Sequence, residues 1–215
     1  MRFLIFALAG VALLVGCGSK PSVSQNQCTA GDWETIGYRD GVQGLRSSRL
    51  LDHQDACVEY GITPSRSQYM VGWEAGVREY CEPSNAYYAG ERGRAHNNVC
   101  PADMRGAFLA AYEEGWTLYR ARTDVANLEW EIDQKVARKS AVKSEIISAT
   151  AAQLDGTLTT TQRVELATRV QRLYEEQSRL DREIPDLEAE LVIKRRELDR
   201  LTASMASATP VARRR

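Results

Sequence analysis

The sequence predicts an all-α protein: a small disulfide-stabilised bundle of short Gly/aromatic-rich helices, followed by a long antiparallel helical hairpin. Three observations carry this. Leu166, Val170, Leu173, Gln177, Leu180, Ile184, Leu187, Leu191, Lys194, Leu198 and Leu201 alternate spacings of four and three, a heptad seam with two polar positions. Between Gly31 and Tyr119 lie eleven of fifteen glycines and eight of nine tyrosines, so this stretch is built differently from the charged stretch after it. Four cysteines, Cys28, Cys57, Cys81 and Cys100, lie in or just before the same region.

The seam's helix starts at Thr159-Thr160-Thr161-Gln162, where Gln162 stands three residues after a Thr cap. Upstream, Val125, Leu128, Ile132, Val142 and Ile146 form a weaker seam, separated from the first by a turn containing Asp155-Gly156. An antiparallel hairpin is the economical arrangement, and a parallel dimer through the same seam competes with it. The second arm should reach about 65 Å at ~1.5 Å per residue. Pro185 should kink it or loosen one turn.

The glycine-rich part contains an internal echo. Tyr69-Gly72-Trp73-Gly76-Val77-Tyr80 aligns with Phe108-Ala111-Tyr112-Gly115-Trp116-Tyr119, and Gly37-Tyr38-Gly41-Val42-Leu45 and Ala89 to Gly93 are partial copies. Tyr69, Trp73, Val77 and Tyr80 share one helical face. Glycines beside that stripe weaken the helix by up to ~1 kcal/mol each but let another helix approach closely. Core packing is the reading preferred here. The sharper alternative is a ligand groove for a glycan or peptide, lined by Trp33, Tyr69, Trp73, Tyr112 and Trp116.

The first residues, MRFLIFALAGVALLVGCGSK, place one Arg before a 13-residue apolar run, Phe3 to Val15. That is too short to span ~30 Å of hydrocarbon and fits a secretory signal. Its end, Leu14-Val15-Gly16-Cys17, resembles the bacterial lipobox. The resemblance implies cleavage before Cys17, acylation of its thiol, and insertion of the chains into membrane lipid. Gly18 rather than Asp after the cysteine implies sorting to a Gram-negative outer membrane, facing the periplasm. The expected organisation is signal peptide 1–16, lipidated tether 17–27, Cys/Gly/aromatic domain 28–119, coiled-coil hairpin 120–205 and basic tail 206–215.

Outside the cytoplasm the four remaining cysteines should form two disulfides. Cys28 precedes a helix capped by Asp32, and Cys57 ends the next helix. If those two pack antiparallel, start meets end. Cys81 ends the third helix and Cys100 precedes the fourth, with Pro101 in its first turn. The expected pairs are therefore Cys28–Cys57 and Cys81–Cys100. A competing arrangement uses two histidines, each four residues before a cysteine: His53, Cys57, His96 and Cys100 could form a zinc set. In an oxidising compartment disulfides take precedence over it, and no cofactor is expected.

Net charge of −1 gives no reason to expect nucleic acid. The sequence holds no G-x-S-x-G, Walker loop, H-E-x-x-H or dinucleotide fingerprint. Cys28-x4-Trp33-x3-Gly37-x-x-Asp40-Gly41-x-x-Gly44, then RLLDHQDAC, QYMVGWEAGVREYC and GRAHNNVC, together resemble a family of small proteobacterial lipoproteins classed as a domain of unknown function. The resemblance covers Cys28 to about Tyr119 and implies a lipoprotein domain without a known activity. The expectation is a non-enzymatic envelope lipoprotein acting through its coiled coil, on another envelope protein or on itself. Alternatives are a periplasmic binding module using the aromatic groove, and an uncharacterised envelope enzyme or zinc-binding protein.

Overall fold

A computed structural model describes residues 21–208. Cys17, the signal stretch and the end of the basic tail lie outside the described residues. All regular structure among the described residues is helical: α1 (Gln25–Ala30), α2 (Trp33–Val42), α3 (Arg49–Cys57), α4 (Arg66–Tyr80), α5 (Pro83–Glu91), α6 (Ala102–Ala152) and α7 (Thr160–Ala208). They form two compact units that divide between Tyr80 and Cys81. The change of composition near Arg120 marks no break, because α6 runs 51 residues straight through it.

Local chemistry sets most helix starts. Ser24 and Gln27 make a reciprocal capping box on α1. The Asp32 carboxylate accepts from the Thr35 N–H at 3.1 Å, capping α2. The Thr35 hydroxyl first, then this N–H, holds the Asp32 carboxyl below its ordinary value. Pro83 opens α5, where its missing N–H costs nothing. Thr159 and Gln162 cap α7 reciprocally.

In the first unit α2 packs on α4. A Cβ added at Gly37 or Gly41 would strike the carbonyls of Tyr69 or Trp73, and one added at Gly72 or Gly76 would strike those of Glu34 or Tyr38. The two helices therefore touch backbone to backbone, which only glycine permits. These contacts advance together along both helices, so α2 and α4 run in the same direction. A parallel pair needs a crossover connection, and α3 lies within it.

The second unit repeats the device. α5 packs on α6 through Gly90 and Gly115, each of which has room for no Cβ beneath the carbonyls of Tyr112 and Tyr87 respectively. After α2 the chain turns at Gly44 (φ +67°) under the Tyr80 ring; after α5 it turns at Gly93 (φ +65°) under the Tyr119 ring. The Trp73 Nε1–H donates to the Leu45 carbonyl at 2.8 Å, and the Tyr112 hydroxyl donates to the Arg94 carbonyl at 3.0 Å. Leu45 and Arg94 each follow their glycine directly. The partial echoes in the sequence are thus the first helix of each pair, and the full echoes the second.

Cys28 is bonded to Cys57 and Cys81 to Cys100, each pair with Cα atoms 5.7 Å apart. The expected geometric reason needs correction. Cys57 does not meet Cys28 because α2 and α3 are antiparallel partners; α2's partner is α4. Each disulfide ties the start of one parallel helix to the connection leading into the other.

The rest of α6 packs antiparallel on α7, 49 residues long, or about 74 Å at ~1.5 Å per residue. The seam takes the hairpin arrangement. Val142, Ile146, Leu173, Leu180 and Ile184 form one apolar cluster, and Val125, Ile132 and Leu191 another. Pro185 lies inside α7, which continues past it. Asp155 receives the Thr157 N–H and hydroxyl, closing the turn between the arms.

Candidate functional site

Three places gather chemistry. The first is a buried polar centre in the first unit. Asp40 on α2 and His53 on α3 are the buried polar or charged residues among the described residues. His53 Nε2 lies 2.8 Å from Asp40 Oδ2, and the Tyr69 hydroxyl donates to the same oxygen at 2.9 Å. Ser22 Oγ lies 2.7 Å from His53 Nδ1. A carboxylate oxygen only accepts, so the His53 Nε2–H donates to Asp40. Burial first, then the hydrogen bond to Asp40, drives the Tyr69 phenol far above its ordinary value of 10.0 and keeps it protonated. Ser22, His53 and Asp40 have the connectivity of a nucleophilic relay. Its evident effect is mechanical: one carboxylate oxygen ties α2, α3 and α4 together in the core.

The second place is the aromatic stripe. Trp33 and Tyr69 are buried in the first unit's core and Tyr112 in the second's; Trp73 and Trp116 are half-buried. The Phe108, Tyr112 and Trp116 rings stack in series, with centroids 6.4 and 5.8 Å apart, and Trp116 leans on Tyr119 at 5.3 Å. These rings spend their faces on one another and on the helix backbones. Trp33, Tyr69 and Tyr112, three of the five rings of the groove alternative, are thus core residues, while Trp73 and Trp116 stay partly exposed.

The zinc alternative fails on bonding. Cys57 and Cys100 sit in separate disulfides, so the two thiolates it needs do not exist. His53 serves Asp40, and His96 stands edge-on to Phe108 and Tyr112 at 5.6 and 4.5 Å. Among the described residues no cluster of three or more His, Cys, Asp or Glu is placed to hold a metal.

The third place is the hairpin, whose two flanks differ. On one, Arg138 holds Glu176 and Glu145 at 2.8 Å, Lys135 holds Glu183 at 2.7 Å, and Arg169 reaches Glu145. The groove there, about 530 Å³, is lined almost entirely by charged and amide side chains. The hydrogen bond from Arg138 lowers the Glu176 carboxyl and the one from Lys135 lowers Glu183. On the opposite flank a groove of about 630 Å³ runs along α7 past Ala167, Val170, Tyr174 and Ser178, with Gln153, Gln171, Glu175 and Arg182 at its edges. At ~100° per residue, Ile147 of α6 projects to that same side, and Leu154 lies in the turn just beyond the end of α6. Ile147 is 63% exposed, Leu154 85%, Val164 61% and Tyr174 53%.

Sequence reasoning named His53 and Asp40 separately and missed the centre they form with Tyr69 and Ser22. Its members are 13 to 31 residues apart, on four different segments, and no local spacing announces it. The flank was also missed, although Val164, Ala167, Gln171, Tyr174 and Ser178 trace a second heptad line one residue off the main seam.

No curated protein and no solved structure matches this chain. Residues 32–117, from the cap of α2 into the first third of α6, do match a family model described as Protein of unknown function (DUF2799), so the chain carries a DUF2799 domain, made of the two glycine-packed helix pairs.

Proposed function

We propose that this protein is a non-enzymatic lipoprotein of a bacterial envelope, held to the membrane by an acylated Cys17, whose helical hairpin is its interaction arm. The lipobox resemblance of Leu14 to Cys17 supports the anchor, and Gly18 supports an outer-membrane address facing the periplasm. One observation carries the choice of the arm. Trp33, Tyr69 and Tyr112 of the glycine-packed units are buried, whereas near the turn of the hairpin Ile147, Val164 and Tyr174, with Leu154 in the turn itself, are exposed beside the groove along α7. Exposed apolar groups gathered on one face mark a surface for a partner.

Crosslinking of the lipidated chain in cells, with mass spectrometry of the adducts, tests this. Adducts should map to the flank that carries Tyr174 and should vanish when residues 123–205 are deleted. Partner capture that survives the deletion would refute the arm as the interaction element. Replacing Cys17 by Ser should release the protein from the membrane fraction; retention there would refute the lipid anchor.

A further inference from the structure

We infer that the apolar flank of the hairpin pairs with the same flank of a second copy, giving a four-helix bundle whose two-fold axis runs along the arms. This rests on the reading of the hairpin as the interaction arm and names its partner.

A two-helix seam needs only a narrow apolar stripe, whereas a bundle helix carries a stripe of ~100° or more. Near the turn α7 has the wider kind. Leu166, Val170 and Leu173 face α6, and Ala167 and Tyr174 extend the stripe round to the side. α6 widens to the same side through Ile147, and the turn that follows it adds the exposed Leu154. Both excess stripes lie on one flank, so a two-fold axis along the hairpin sets α6 of each copy beside α7 of the other.

The polar groups fit that arrangement. On α6, Lys135, Arg138 and Lys139 all have carboxylate partners within the hairpin. Lys143, one turn further on the flank that carries Tyr174, makes no ion pair among the described residues. The hairpin's own register, with Arg138 opposite Glu176 and Glu145 opposite Arg169, places Lys143 level with Tyr174. Across the two-fold axis the ammonium of one copy therefore meets the exposed ring of the other, and the cation–π contact forms twice. The opposite flank offers no comparable surface, since its charges already pair with one another.

Size sets the strength. Residues 136–154 against 163–181 give a contact about 27 Å long and, across two helices, about 20 Å wide. That buries roughly 1,100 Å² in total, at the low edge for a specific pair. The dimer is weak in solution and is favoured where chains are concentrated on one surface, because tethering raises their effective concentration.

The test uses the full mature chain. Sedimentation equilibrium should show a concentration-dependent dimer. Lys143→Glu should raise the dissociation constant about tenfold, and Lys143→Glu with Tyr174→Lys should restore it by exchanging the cation and its partner. Mixing chains that carry Lys143→Cys with chains that carry Tyr174→Cys should give an oxidised heterodimer at the expense of homodimers. Far-ultraviolet circular dichroism checks that each variant keeps its helices. A chain that stays monomeric, or a dimer indifferent to Lys143→Glu, overturns the pairing. So does a dimer that crosslinks through cysteines at Arg138 and Glu176 instead. If the chain is monomeric while another envelope protein is still captured through residues 123–205, the self-pairing fails and the interaction arm stands.

Discussion

At the scale of single residues, identical side chains have opposite consequences according to what stands beside them. Gly72 lies against the Glu34 carbonyl with no room for a methyl group, while Gly106, five residues into α6, has open space around it. Gly72→Ala should therefore destabilise the first unit by about 1–3 kcal/mol through overpacking. Gly106→Ala should stabilise the second by up to ~1 kcal/mol, because alanine is the better helix former. Urea unfolding of the two variants checks both signs, and a stabilising Gly72→Ala would refute the close approach of α2 and α4. The buried Asp40 shows the same dependence on surroundings. A carboxylate in a core is costly alone but tolerable when His53 and Tyr69 both donate to it. Its sequence neighbours gave no sign of this, since both donors arrive from distant segments.

At the scale of elements, the arm should respond to pH through its ion-paired flank. The Glu176 and Glu183 carboxyls are lowered by hydrogen bonds from Arg138 and Lys135. A depressed carboxyl stabilises the folded state above its unfolded value, here 4.5, and that contribution disappears as pH falls through the lower folded value. Lys135 is raised by its bond to Glu183, so its contribution is present below 10.5 and is lost at higher pH. Thermal melting of the helices, followed by circular dichroism, should therefore be steady from about pH 5 to 10 and decline below about pH 4. Because these groups are exposed, high salt should shrink the effect. A melting temperature that rises on acidification would refute the assignment. The heptad seam was legible in sequence because a long helix repeats its environment every seven residues. Which flank of that helix stays bare was not, because it depends on the charges α6 brings alongside.

At the scale of the whole molecule, two disulfides close two helix pairs and none crosses the hairpin. The loops they close span 29 and 19 residues, so each should contribute about 3–4 kcal/mol, in the chain-entropy view, to the pair it closes. Reduction should loosen α2 with α4 and α5 with the start of α6, exposing buried Trp33 and Tyr112, while residues 123–205 keep their helix. Hydrogen exchange by mass spectrometry, with and without reductant, separates these regions. Loss of protection along α7 before α2 would contradict the assignment of stability.

The sequence by itself determined the elements: the all-α class, the long hairpin with its turn at Asp155-Gly156, the caps at Asp32 and Thr159, and cysteines even in number beyond the lipobox-like segment. Each follows from local propensity or from a repeat within one helix. Only the tertiary structure decided that the glycine-rich helices pair parallel, that Asp40, His53, Tyr69 and Ser22 meet, that Trp33, Tyr69 and Tyr112 are buried, and that Ile147, Val164 and Tyr174 stay exposed on the arm. Those outcomes depend on which distant backbone or charge comes within a few ångströms, which spacing along one chain does not encode.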